Sequence, residues 1–435
     1  MKAHNPHKPI LILLAVYIAL QIIIVVFTEP HFESDSAYYY QKALQCVEYN
    51  SFYPNHSNTN DDFIIAPIYI NYLFIILKIF KSVKAILFFN IILNTVNLIL
   101  LYSITNRIFS NKAALISAIL YVLYLNNLGI ILMNFTDLLF LTTILLGIYL
   151  FFINTQWAFA LAGVMIALSI GIRPIGWALF VAILIIIIFK IKQFQFAKLS
   201  LFLTGFLLVI MSVGLYNKQN FGDFIYSGTT GSLNLLIGAN DDATGAFEPA
   251  VFDEGKIGYL PHPEQMSYKE KNEFYQHQAL YWIKTHPIKW LSLLPVKFIH
   301  LFITDDFALY PLVSTNQIYV YQYGKALLKD HNFQSLISQP YRIEYLILAI
   351  IHHIFYAIIL FFFFYQFYFN FKRNRKNPTV LLIEIFIILG LLMTIPIYGA
   401  ARYKYPYIIL GMILSAPIIE KKKFLHKGMN KPTAD

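Results

Sequence analysis

Apolar residues run along this chain in long blocks broken by short polar joints. At a rise of 1.5 Å per residue, about 20 mostly apolar residues cross roughly 30 Å of hydrocarbon. Blocks of that kind lie at 9–27, 84–105, 112–132, 137–153, 157–172, 174–189, 198–216, 345–369, 379–398 and 403–419. They predict an all-α, polytopic membrane protein with about ten transmembrane helices. Two more apolar segments, 63–80 and 288–302, are short and broken by Pro67, or by Pro295, Lys297 and His300. These predict helices lying along the interface rather than crossing. Two polar stretches interrupt the pattern, at 28–83 and 217–344. In the first, Ser34 or Asp35 is placed to cap a helix reaching about Glu48. The second is too long for a structureless connection. It carries turn chemistry in Asn220-Phe-Gly-Asp223 and around Gly238, and a helical stretch over 267–285. The chain reads as one membrane-embedded domain, 1–435, with two large loops.

Composition agrees. Of 435 residues, 58% are apolar and 13% charged. A soluble chain of this length would need about twice that charge to cover its surface. The single cysteine, Cys46, cannot form an internal disulfide. The net charge of +10 sits in clusters beside apolar runs: Arg107 and Lys112, Lys190 and Lys192, Lys372 to Lys376, and Lys421 to Lys423. Placing the N-terminus in the cytoplasm puts all of them inside, as the positive-inside rule asks. The stretches 28–83 and 217–344 then lie outside. That parity holds only if 63–80 and 288–302 do not cross. No basic cluster is interleaved with aromatics in a polar domain, so nucleic acid is not an expected partner. The first apolar run has no small-residue cleavage site and reads as a retained helix. The setting expected is a bacterial inner membrane with both termini cytoplasmic.

Candidate chemistry gathers at the outer ends. On the helix opening at Ser34, Asp35, Tyr39, Lys42 and Cys46 share a face at spacings of three and four. Asp35 is either a plain cap or a carboxylate held just above the membrane. Asp137 opens an apolar run, where an unpaired carboxylate is costly. Two such acids can act as a general base and the group that orients it. Arg173, in Gly171-Ile-Arg173-Pro174, reads first as a residue snorkelling to lipid phosphate. Arg402, with Lys404 beside it, suits that role or a lipid-linked phosphate, because its planar fork matches phosphate oxygens. His352 and His353 read as packed or interfacial. Glu384 sits inside a span with no role assigned. Asn55-His-Ser57 and Asn134-Phe-Thr136 fit a glycosylation pattern to which no function is attached.

Taken in order, these residues resemble a known family. Asp35, Tyr39 and Ala43 follow the first span. A basic turn, Asn106 to Lys112, joins two helices. Thr136-Asp137 opens another, and a small-residue helix from Ala162-Gly163 ends in Arg173-Pro174. Gly238-Ala-Asn240 is followed by Ala243-Thr244-Gly245, and Arg402-Tyr403 by Pro406. The chain is similar to the polyprenyl-phosphate-sugar-dependent membrane glycosyltransferases of the GT-C superfamily, within them to the protein O-mannosyltransferase and lipid A aminoarabinose transferase group. That resemblance implies an inverting hexosyl- or pentosyltransferase working at the outer face. Asp35 would be the general base and Asp137 would orient the acceptor or support Asp35. Arg402, with Lys404 and Arg173, would hold the donor phosphate. Tyr39, Asn240 and Tyr403 would contact substrate. One departure stands out. Where many relatives carry Lys-Pro or Pro-Gly-Tyr-Pro after the first outer helix, this chain has Ile65-Ala66-Pro67-Ile68-Tyr69.

The partners implied are a polyprenyl-phosphate sugar donor, membrane lipid, and a protein or glycolipid acceptor. No Gly-rich nucleotide loop is present. No ligand spacing demands a metal, though Asp35, Asp137 and His262 leave room for a divalent ion. Two other classes fit the outline. An O-antigen-type polymerase or ligase would rely on loop arginines and histidines rather than Asp35. A lipid-linked-sugar flippase or transporter would place ionisable pairs near the midplane.

Overall fold

The computed structural model describes residues 8–153, 155–190, 196–313, 343–372 and 377–420. The basic clusters at 190–192, 372–376 and 421–423 fall wholly or partly outside them, as does part of the 217–344 stretch. Among the described residues every regular element is helical. The long apolar runs become α1 (Lys8–Phe27), α4 (Val83–Ile108), α5 (Asn111–Leu123), α7 (Asp137–Ile153), α8 (Gln156–Ile172), α9 (Gly176–Lys190) and α10 (Phe196–Phe221). After the second polar stretch come α14 (Ile343–Lys372), α15 (Pro378–Thr394) and α16 (Tyr405–Glu420). The polar stretches fold into α2 (Asp35–Tyr49), α3 (Pro67–Phe80), α11 (Gly231–Ile237), α12 (Tyr268–Thr285) and α13 (Pro287–Ile303). A single turn, α6 (Asn126–Gly129), follows α5.

Helices therefore form at all ten expected spans, but length divides them. Among the described residues only α1, α4, α10 and α14 are long and apolar enough to cross a membrane. A fifth crossing appears if α5 and the segment Asn126–Leu132 count as one span, bent by 63°. Helices α7, α8 and α15 have 17 residues each and α16 has 16. The count of about ten spans is thus not established by length and composition.

The bend after α5 has a physical cause. A chain that leaves helical geometry in an apolar setting must find partners for its backbone carbonyls. Asparagines at 90, 94 and 97, one stripe of α4, supply them. Asn90 Nδ2 donates to Ile131 O at 3.1 Å and Met133 O at 2.9 Å. Asn94 Nδ2 donates to Asn127 O at 2.6 Å, and its Oδ1 accepts from Tyr121 Oη at 2.5 Å. Asn97 Nδ2 donates to Leu138 O at 3.2 Å. Gly129 completes the bend, since a Cβ there would lie 1.5 Å from Ala308 O. The segment 124–136 is thereby held rigid, and it ends at Thr136-Asp137.

The rest of the bundle packs around this seam. Helices α8 and α10 cross closely because Gly163 faces Phe202 O and Gly205 faces Ala160 O, a small-residue contact common between membrane helices. At the Asp35 end, the two polar stretches clasp each other. Thr229 N donates to Ile64 O at 2.7 Å, and Lys271 Nζ reaches Asp62 Oδ1 at 2.8 Å. Helix α12 opens with a reciprocal cap: Ser267 Oγ accepts from Glu270 N, and Glu270 Oε2 accepts from Ser267 N. Leu236, Ile237, Val251, Tyr275, Ala279, Trp282 and Tyr398 form a small core of their own there. Helix α13 leaves Ile288, Leu291, Ile299 and Ile303 exposed along one side.

Candidate active site

Four helix ends meet where the first polar stretch approaches the bundle. Asp35 is the first residue of α2 and Asp137 the first of α7. Arg173 follows the last residue of α8, and Arg402 lies in a 3₁₀ turn, Ala401–Lys404, just before α16. The acids stand at helix N-termini and Arg173 at a C-terminus, so each charge matches the local helix dipole.

Asp35 is not a cap. Ser34 turns into the chain at φ 53° and makes no side-chain capping bond, so α2 starts without one. The Asp35 carboxylate instead accepts from Arg402 Nη1 at 2.8 Å, with its side chain 53% exposed. The Arg402 Nε donates to Asp137 Oδ2 at 2.7 Å, and Nη2 to Thr136 Oγ1 at 3.3 Å. Arg173 completes the group. Its Nη2 donates to the same Asp137 oxygen at 2.9 Å and its Nε to Thr136 Oγ1 at 2.7 Å. Asp137 is fully buried, and its Oδ1 has no hydrogen-bond partner. Beneath the fork, the Arg402 guanidinium stacks 3.7 Å from the centre of the Phe135 ring, a cation–π contact. Burial works against the Arg402 charge, but the Asp137 and Asp35 carboxylates outweigh it and hold the group protonated.

Aromatics wall the group. Tyr39 is buried, edge-on to Tyr69 at 5.4 Å; burial and then Asp35 raise its phenol pKa. Tyr69 Oη donates to Asn134 Oδ1 at 2.8 Å, and Asn134 N donates to Ser36 Oγ at 2.9 Å. These bonds lock α2 to the strip that ends in Asp137. Tyr403 and Tyr398 share a hydrogen bond of 2.6 Å between their hydroxyls.

The structure brings Asp35, Asp137, Arg173 and Arg402 together, with Tyr39 and Tyr403 beside them. It does not bring Lys404 or Asn240. The Lys404 ammonium is fully buried on Asp305 Oδ1 at 2.9 Å. The Asn240 amide folds back on Leu236 O and Ile237 O and its Oδ1 accepts from Asp242 N, shaping its own turn. His262 pairs with Glu264 at 3.5 Å instead of converging on the aspartates. Among the described residues no three of His, Cys, Asp and Glu are grouped to hold an ion. Sequence reasoning passed over Phe135, Ser36 and Asn134 as contacts. It also passed over Asp305 and Asn126, although Asp305-Asp306 closing an apolar helix was a readable signal.

Residues 65–216 match a family described as dolichyl-phosphate-mannose-protein mannosyltransferase. The whole chain overlays the oligosaccharyltransferase of Archaeoglobus fulgidus in its apo form, with a TM-score of 0.51 at 14% identity, over 99% of this chain and 53% of that one. The chain shares the fold of that enzyme's matching half. A second structure, the archaeal oligosaccharyltransferase AglB from the same organism with an inhibitory peptide and a dolichol-phosphate, gives 0.50 at 12% identity, over 98% and 52%. A third, tethered to an acceptor peptide containing the NVT sequon, gives 0.50 at 14% identity, over 98% and 51%. The chain spans about half the length of the oligosaccharyltransferases it matches. No curated protein matches it.

Proposed function

We propose that the chain transfers a sugar from a polyprenyl-phosphate carrier to an acceptor at the outer face of the membrane, with inversion. The observation carrying this reading is the half-exposed Asp35 carboxylate, 2.8 Å from a guanidinium that also grips buried Asp137. One accessible acid stands beside an arginine fork suited to phosphate. In this reading that one contact joins a base to a leaving-group stabiliser.

In this reading the acceptor O–H or N–H gives its proton to Asp35. The acceptor atom bonds to the anomeric carbon from the face opposite the phosphate. The bond from that carbon to the phosphate oxygen breaks, and its electron pair leaves on the lipid phosphate. Arg402 and Arg173 offset the charge that builds there. Asp137 aims both arginines from below and touches no substrate. Lys404, expected among the phosphate ligands, is left out of that role because of its burial. The residues do not fit a resident divalent ion: Asp35 and Asp137 both face Arg402, and His262 pairs with Glu264 instead of joining them. No step is assigned to a metal.

The acceptor is a protein or a glycolipid, and the donor sugar a hexose or pentose. The family matched over 65–216 and the dolichol-phosphate named with the second structure both support a lipid-phosphate donor. The experiment uses purified membranes and a panel of radiolabelled polyprenyl-phosphate sugars, following sugar lost from lipid when cell-envelope extract is added. Loss with wild type and none with Asp35→Asn is the expected result. An Asp35→Asn protein that still transfers would remove the proposed base. No loss with any donor in well-folded wild type would favour a polymerase or a flippase.

A further inference from the structure

Lys404 belongs to a second buried group. Its ammonium pairs with Asp305 Oδ1 at 2.9 Å and also donates to Thr304 O and, at 3.2 Å, to Ala401 O. Asp305 Oδ2 meets His352 Nε2 at 3.1 Å, and the Asp305 N–H donates to His353 Nε2 at 3.1 Å. Asn126 Nδ2 donates to Asp305 O at 2.7 Å and lies 3.3 Å from Asp305 Oδ2, while its Oδ1 accepts from Ala308 N at 3.2 Å. Asn126, Asp305, His352 and Lys404 are all fully buried. Four parts of the fold meet here: the bent segment after α5, the strip after α13, helix α14, and the turn before α16.

Two of those parts also carry the catalytic group. Lys404 lies two residues past Arg402 in the same 3₁₀ turn. With about three residues per turn, positions two apart point to different sides. Clamping Lys404 onto Asp305 on one side therefore presents Arg402 on another, towards Asp35 and Asp137. Asn126 lies in the rigid segment that ends at Thr136-Asp137. Asp305 thus touches, through one partner each, the segment carrying the guanidinium and the segment carrying the carboxylate it must meet. A buried ion pair adds little net stability over apolar groups of the same volume. What this one fixes is direction and register.

We propose that Asp305, with Lys404 and Asn126, is the positioning device that sets Arg402 against Asp137. The inference rests on the transferase reading for its kinetic consequences, but its structural half does not. Asp305 is a positioning residue and acts only through others.

The test uses the full chain purified in detergent. Removing one partner strands a buried charge, so the informative variant is the pair Asp305→Asn with Lys404→Met, which removes both charges together. Amide hydrogen exchange needs no substrate. The expected result is lost protection across 399–405 together with 130–137, with α8 and α10 unchanged and a cooperative thermal transition retained. In the transfer assay, kcat falls by about 10²-fold, the scale of a 1 Å misplacement, while the donor KM changes far less. A second variant, Asn126→Ala, keeps both charges of the ion pair and removes the bonds that tie the bent segment to Asp305, Ala308 and His352. Its kcat falls by about tenfold with KM steady. Unchanged exchange across 399–405 in the double variant, or wild-type kcat in Asn126→Ala, overturns the proposal. Should wild type transfer no sugar at all, the transferase reading fails while the exchange experiment still decides the positioning role.

Discussion

Replacing Arg402 by lysine keeps the charge and removes the fork. The guanidinium makes three directed contacts, to Asp137 at 2.7 Å, to Asp35 at 2.8 Å and to Thr136 at 3.3 Å, over the Phe135 ring. A lysine ammonium also has three donors, but they diverge from one nitrogen and do not match the planar spacing of the fork. A hydrogen bond to a charged group contributes about 1.5–3 kcal/mol, and a stack of this kind about 0.5–2 kcal/mol. Much of the ground-state loss is recovered. Asp137 keeps Arg173 at 2.9 Å, and Asp35 is half-exposed and rehydrates. The folding cost should therefore stay near the low end, about 2 kcal/mol. The transition state has no such recovery, because the donors must already point where charge builds. Loss of an aimed donor costs about 2.7–4 kcal/mol there, or about 10²–10³ in kcat. The assay is steady-state sugar release from a polyprenyl-phosphate donor, with thermal unfolding as control. Arg402→Lys is expected to fold, to keep donor KM within about tenfold, and to lose two to three decades of kcat. A lysine variant keeping more than about a tenth of wild-type kcat would refute the reasoning, since charge alone would then suffice.

Other outcomes follow from the same geometry. Asp137→Asn leaves Arg173 and Arg402 facing each other without a shared counter-ion, and should destabilise the fold by about 3–5 kcal/mol by thermal unfolding, more than Asp35→Asn does. Gly129→Ala drives a methyl to within 1.5 Å of Ala308 O and should lower thermal stability by about 1–3 kcal/mol or more. Asn94→Ala strands partners on α1, α5 and the bent segment, at about 1–3 kcal/mol for each unsatisfied group; Asn94→Ala that melts with wild type would dismiss the seam. Lys297 is buried and donates to Gly238 O and Pro396 O, and burial pulls its ammonium down to about 8. Between that pH and the ordinary value of 10.5, the unfolded chain holds a proton that the fold does not, so stability should rise with pH across the window. In Lys297→Met that slope should vanish, as read from the difference in melting temperature between the two proteins.

The sequence pattern located the helices better than it counted crossings. Run length marks where α1, α4 and α14 lie, but a run such as 137–153 is equally apolar whether it crosses or stops short. The bend within 112–132 was not legible, because Ile130 to Leu132 read as continuous apolar helix. What breaks it is Asn90 and Asn94, some 40 residues earlier, whose stripe on α4 only acquires meaning once its partners are known. At the site, Asp35, Asp137, Arg173 and Arg402 were legible because charge at a membrane helix end is rare. Lys404 was misplaced because adjacency in sequence to Arg402 suggested a shared target. A tight turn instead sends neighbours in different directions, and the acid that claims Lys404 lies about a hundred residues away. Asn240 was singled out by its motif, whose job is to close a turn.

The candidate site sums to zero: two carboxylates, two guanidiniums. Under the transferase reading, a lipid phosphate arrives as a fifth charge in an already balanced set. It competes with Asp35 for Arg402, and Asp35, half in solvent, is the member that yields most cheaply. The empty enzyme then keeps its base occupied, and loading the donor sets it free. Such a counter-ion exchange imposes an order of binding, donor before acceptor. Product release reverses it, as Asp35 returns to the arginine and helps expel the spent phosphate.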